Sequence, residues 1–180
     1  YLEENVELLR ASISGIEQTE KLRRIGKSPS TDKEFSDRFQ ISMTYPSAYK
    51  TFKDTLDFTW IQKPIQKGHM NIIAYTLPIN ALKGNIKKRI LFIRDSIGKV
   101  YIPGRLPGSY MITERAYLPY YYKTQINGKL TYLTKGTWEV ANDFMAGPFI
   151  NYMVRDTIKK RWMVIEGFTF APSASKRDYM

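Results

Sequence analysis

Between Tyr110 and Phe170 the chain reads as strand segments in succession: Tyr110 to Glu114, Tyr117 to Ile126, Leu130 to Val140, Phe149 to Val154, and Arg161 to Phe170. No helical period separates them. Strands joined by short turns pair antiparallel, so this third of the sequence confines the fold to one built around an antiparallel sheet. Asn127 and Gly128 stand between two of these segments. A two-residue hairpin turn needs positive φ at both positions, which Asn and Gly tolerate. The expected hairpin sets Tyr122, Thr124 and Ile126 against Leu130, Tyr132 and Thr134.

Upstream, the periods alternate. Leu2, Val6, Leu9, Ile13 and Ile16 share one stripe of a helix, so residues 1–26 read as an amphipathic helix packing on the core. Gly26, Ser28 and Pro29 end it, and residues 27–37 read as a polar linker. Phe39, Ile41, Met43 and Tyr45 alternate with polar residues, which predicts a strand closed by Pro46. Leu56, Phe58 and Trp60 predict a second strand. Met70 to Leu77, apolar on both faces, predicts an interior third. Leu82, Ile86, Ile90, Ile93 and Ile97 restore helical spacing, with Lys87, Lys88, Arg89 and Arg94 around the rest of the cylinder. The fold class is α+β, an antiparallel sheet flanked by helices. One domain spans 38–172, followed by a basic tail at 173–180.

Composition narrows the function classes. A 14% aromatic share excludes a disordered chain. Twenty-eight Lys and Arg against seventeen Asp and Glu leave a net charge of +11, which draws anionic partners at low salt. No cysteine is present, which removes disulfides, thiolate metal sites and cysteine nucleophiles. His69 is the single histidine, so no multi-histidine metal site or HExxH motif can form, and it reads as a loop residue at a strand entrance. Ser109 follows Pro107 and Gly108, but the G-x-S-x-G elbow is absent, and the serine reads as part of a structural turn. No phosphate-loop spacing occurs, and no cofactor is expected.

Basic residues on the second helix, with Lys159, Lys160 and Arg161 and the tail residues Lys176 and Arg177, raise the possibility of nucleic-acid binding. Exposed stacking aromatics would be needed as well, and Tyr120, Tyr121 and Tyr122 serve equally as strand formers. Trp60, Trp138 and Trp162 lie in strand patterns and read as core. The segment Phe144 to Phe149 is unusually apolar for a connection and reads as either a buried loop or a partner contact, with burial the favoured reading.

The ordered series Arg94-Asp95, Ile102-Pro103-Gly104, Gly108-Ser109-Tyr110-Met111, Thr113-Glu114, Gly136-x-Trp138-Glu139, Phe144-Met145-x-Gly147-Pro148-Phe149, Glu166-Gly167-Phe168, Ala171-Pro172 and Lys176-Arg177 resembles the bacterial domain-of-unknown-function family 4837. The resemblance covers roughly residues 38–180, with Lys135 where arginine is expected. It implies an exported envelope lipoprotein, longer than this chain and anchored through a lipidated N-terminal cysteine outside it. It carries no assigned catalytic or ligand residues. The element order also resembles the α/β/α sandwich of the Mog1/PsbP type, by analogy of order alone.

The leading functional expectation is a non-enzymatic envelope module that binds another protein or an anionic envelope polymer. The alternatives are a hydrolase assembled from distant residues such as Arg94, Asp95, Glu114, Glu139 and Glu166, or a binder of anionic polymer or nucleic acid. Any site is expected near Arg94, Arg105, Ser109, Tyr110, Glu114 and Trp138, where a glycine-rich loop joins helix to sheet. The same residues would equally serve to lock loop to sheet.

Overall fold

The computed structural model describes residues 2–172, and the basic tail lies outside them. The chain divides after Lys50 into two compact units. The N-terminal unit contains α1 (Leu2–Lys27), β1 (Pro29–Thr31), α2 (Lys33–Phe39) and β2 (Thr44–Pro46), with β1 and β2 paired antiparallel. The residues read as a linker and a first strand are therefore a short strand, a helix and a second short strand. Asp32 caps α2 by accepting from the Phe35 amide at 3.0 Å, and Phe35 and Phe39 meet one turn apart with ring centroids at 4.8 Å. The alternation from Phe39 onward was misleading because Phe39 ends a helix, and Gln40 then turns the chain through the left-handed region at φ 50°. On α1, Val6, Leu9, Ile13 and Ile16 are exposed.

The second unit is α+β and mostly antiparallel sheet. Its strands are β3 (Lys50–Asp54), β4 (Phe58–Ile65), β5 (Gly68–Pro78), β6 (Tyr110–Thr113), β7 (Tyr120–Ile126), β8 (Lys129–Ala141), β9 (Asp143–Asp156) and β10 (Arg161–Phe170), with α3 (Ile86–Tyr101) between β5 and β6. The spatial order is β3-β4-β5-β10-β9-β8-β6, so β5 is an interior strand as its two-faced apolar pattern requires. The long β8 carries β6 beside its C-terminal residues and β7 beside its N-terminal ones.

Asn127 and Gly128 form the expected turn, both with positive φ. The register differs by one residue from the expectation. Ile126 pairs with Lys129, Thr124 with Thr131 and Tyr122 with Leu133, because a two-residue turn makes the residues flanking it direct partners. Phe144 to Phe149 is a correction too. It is the start of β9, entered through a tight turn at Asn142, and Phe144 is fully exposed.

One face of the sheet holds the core. Ile73 and Tyr75 on β5, Trp162, Val164 and Phe168 on β10, Phe149 and Met153 on β9, Trp138 and Val140 on β8, and Met111 on β6 form one cluster with Ile90 and Ile93 of α3. All three tryptophans are buried, as their strand positions predict. Each large apolar side chain in such a cluster contributes ~1.5–3 kcal/mol. Gly98 sets the depth of α3. A Cβ there would lie 2.0 Å from the Met111 carbonyl oxygen, so only glycine lets the helix backbone rest on β6.

Candidate functional site

The six residues expected to form one site fall into four places. Arg94 lies beneath α3, buried against the sheet. Its Nη2 donates to Glu166 Oε1 at 2.8 Å, its Nε lies 3.1 Å from both Glu166 oxygens, and its Nη1 donates to Thr113 Oγ1 at 2.9 Å. The guanidinium stacks 3.7 Å from the centroid of the Phe149 ring. Asn151 Nδ2 donates to Glu166 Oε2 at 2.8 Å. The Thr113 amide and hydroxyl both donate to Asp95 Oδ1 at 2.7 Å, and Arg115 contacts Asp95 Oδ2. Burial, followed by the charge of Glu166, pushes the Tyr75 hydroxyl above its ordinary range. This island is closed: both ions of its central pair are 1% exposed or less, and the carboxylate is enclosed by donors.

Arg105, Ser109 and Trp138 belong to the open end of the sheet. Ser109 Oγ donates to the Leu106 carbonyl at 2.6 Å, and the Gly104 amide donates to the Ser109 carbonyl at 2.9 Å. The serine is thus the clasp of the turn, as its sequence context predicts. A Cβ on Gly104 would meet Ser109 Oγ at 2.2 Å. Arg105 forms a bidentate pair with Asp143, at 2.7 Å and 3.0 Å, tying this loop to the start of β9. The guanidinium holds the Asp143 carboxyl below its ordinary value.

Behind this pair lies a cavity of about 130 Å³ walled by Trp60, Trp138, Phe168, Phe170 and Met145. Its polar corner is Gln62, His69 and Asn71. The Trp60 indole and the Gln62 amide both donate to Asn71 Oδ1 at 2.9 Å. Trp138 Nε1 is buried with no hydrogen-bond partner among the described residues. On either side of the Arg105–Asp143 pair stand Leu106, 52% exposed, and Phe144, wholly exposed. The arrangement can receive a small apolar group, because the walls are aromatic and the few polar atoms largely satisfy one another.

Tyr110 faces a separate groove beside α3, with Lys99 Nζ 5.5 Å from its ring centroid. Glu114 accepts from the amides of Ala116 and Tyr117, so it shapes the turn after β6. Sequence reasoning missed Thr113, Phe149 and Asn151 as the partners of Arg94, and Gln62, Asn71, Phe168 and Phe170 as cavity walls. A buried asparagine inside the apolar run of β5 was the readable signal for Asn71. His69, expected in a loop, is the second residue of β5, opposite Phe170.

Among the described residues no group of three or more His, Asp or Glu side chains is placed to hold a metal ion, and no helix is long and apolar enough to cross a membrane. A family model described as "Domain of unknown function (DUF4837)" matches residues 28–180. The chain belongs to this family. The DUF4837 match begins upstream of the motif series, at the end of α1, and takes in β1, α2 and β2 as well as the whole of the sheet. The arginine of the buried pair, the Ser109 clasp, Trp138 and the exposed Phe144 all lie within it. No curated protein matches the chain.

Proposed function

We propose that this DUF4837 chain is a non-enzymatic binding module of the bacterial cell envelope, which takes up an apolar side chain of a partner protein at the open end of its sheet. The observation that carries this reading is Phe144. A fully exposed phenylalanine follows Asp143, which Arg105 holds, and precedes Met145; Arg105 and Met145 both line the aromatic-walled cavity, and the half-exposed Leu106 follows Arg105 in the chain. Exposed large apolar residues next to a concave apolar surface are the usual composition of a contact site. The envelope location, with anchoring through a lipid, is the part of the proposal that the family resemblance supports. The α/β/α sandwich of the Mog1/PsbP type is the scaffold we propose, supported by the order of strands around α3.

The hydrolase alternative draws less support. Glu166 is enclosed by Arg94 and Asn151, Asp95 is taken by Thr113 and Arg115, and Glu114 closes a turn. Nucleic acid or an anionic polymer would be drawn by the +11 charge alone.

The test is capture from envelope extract with the domain as bait, at low and at moderate salt, beside the Leu106→Ser/Phe144→Ser variant. A discrete protein held through moderate salt by the native domain and released by the variant is the expected result. Recovery only of polyanions that wash off with salt, or equal capture by the variant, overturns the reading.

A further inference from the structure

The outer side of α3 forms a second surface, distinct from the cavity. Lys88, Phe92, Ser96 and Lys99 follow one another at spacings of four and three, so they share one stripe of the helix. With Tyr110, Ile112 and Arg115 they line an open groove of about 520 Å³. Two of the lining rings carry helix cations: Lys99 Nζ, itself in the lining, lies 5.5 Å from the Tyr110 centroid, and the guanidinium of Arg89, outside the lining, lies 5.2 Å from that of Phe92. Asp95 is the one carboxylate in the groove lining, and Thr113 and Arg115 already occupy it. Lys88 and Lys99 have no carboxylate partner among the described residues.

Exposed apolar side chains lie in this surface and in the turn that follows Arg115. Phe92 is 60% exposed, and Tyr117 and Leu118, just past Arg115, are 74% and 84% exposed. A hydrated polyanion would need only the cations. Exposed Phe and Leu among Lys and Arg match the boundary between lipid headgroups and acyl chains, where ammonium groups meet anionic headgroups and the rings enter the interface.

We infer that the outer side of α3, together with the turn at residues 115–118, is a docking surface for a bilayer bearing anionic lipid. The interaction is peripheral: the cations set the attraction, and Phe92, Tyr117 and Leu118 insert to a shallow depth.

Co-sedimentation of the full chain with vesicles tests it. Vesicles of mixed phosphatidylglycerol and phosphatidylethanolamine should bind the chain, and pure phosphatidylcholine vesicles should not. Lys88→Ala/Lys99→Ala should weaken binding by roughly 30-fold, since each cation near an anionic surface is worth about a fivefold change. Phe92→Ser should weaken it several-fold, and Phe144→Ser, on β9 and outside the groove, should leave it unchanged. Circular dichroism of these exposed-site variants should match the native chain. Equal binding to both vesicle types, or lysine variants that bind as well as native, overturns the inference. So does retention on soluble polyphosphate that depends on the lysines but not on Phe92, which would make the surface a polyanion site.

Discussion

Arg94 on α3 and Glu166 on β10, separated by 72 positions in sequence, form a bidentate ion pair at 2.8 Å with neither side chain more than 1% exposed. Such a pair gains little net stability against an apolar replacement, because both ions lose their hydration, but breaking it strands a charge in the core. Arg94→Met should therefore cost ~3–5 kcal/mol. Arg94→Met/Glu166→Leu should cost clearly less than the sum of the two single changes, because no orphan charge remains. Urea unfolding of the cycle measures this, and additive costs would show that the pair does not couple helix to sheet.

Gly98→Ala should be strongly destabilising although the position is helical. Its Cβ would collide with the Met111 carbonyl at 2.0 Å, forcing α3 away from β6 and opening the core around Ile90 and Ile93. A loss of ~2 kcal/mol or more is expected in thermal or urea unfolding, against the slight gain usual for glycine to alanine within a helix. Gly15→Ala on α1, where nothing lies within 4 Å, is the matched control and should be neutral or stabilising.

The Arg105–Asp143 tether has a defined pH dependence. Arg105 holds the Asp143 carboxyl below its ordinary value of 3.8, so the stabilisation is fully present above that value and is lost as the pH falls through the lower folded one. The difference in melting temperature between the native chain and Asp143→Asn should be constant from neutral pH down to about the ordinary value, then shrink in stronger acid. A difference that shrinks already between pH 7 and 5 would show that the pair does not act as described.

At the β7–β8 hairpin, Asn127 has φ 49° and Gly128 φ 72°. Gly128→Val should destabilise by ~1–2 kcal/mol, because a β-branched residue is strained in the left-handed region, whereas Asn127→Gly should be close to neutral. Hydrogen exchange of the Ile126 and Lys129 amides reports the change locally. Unchanged protection in Gly128→Val would mean that the turn does not set the register.

Much of the second unit was legible in the sequence because its determinants are local. The limits of β10 follow directly from the apolar run Arg161 to Phe170, α3 from the Leu82, Ile86, Ile90, Ile93, Ile97 spacing, although Leu82 lies in the turn before the helix begins at Ile86, and the hairpin from two adjacent residues that tolerate positive φ. The failures were local conflicts. Phe39, Ile41 and Met43 alternate like a strand, yet the Asp32 cap and the Phe35–Phe39 contact favour a helix over the first of them. The apolar Phe144 to Phe149 reads as a buried connection, yet pairing with β8 makes it a strand with Phe144 turned outward.

What the sequence by itself determined is therefore the class of fold, the helix that crosses the sheet, most of the strands and the excess of positive charge, all set by period, turn chemistry and composition. Which residues meet was decided only by the tertiary structure. Arg94 reads as one cation among several on a basic helix, and only the seating of Gly98 against Met111 turns it inward onto Glu166. Trp60, Trp138 and Phe168 read as three separate core residues, and only the sheet order places them around one cavity. The reason is that a side chain's partner across a sheet depends on strand order and register, and these are settled by packing over the whole domain, which no short stretch of sequence contains.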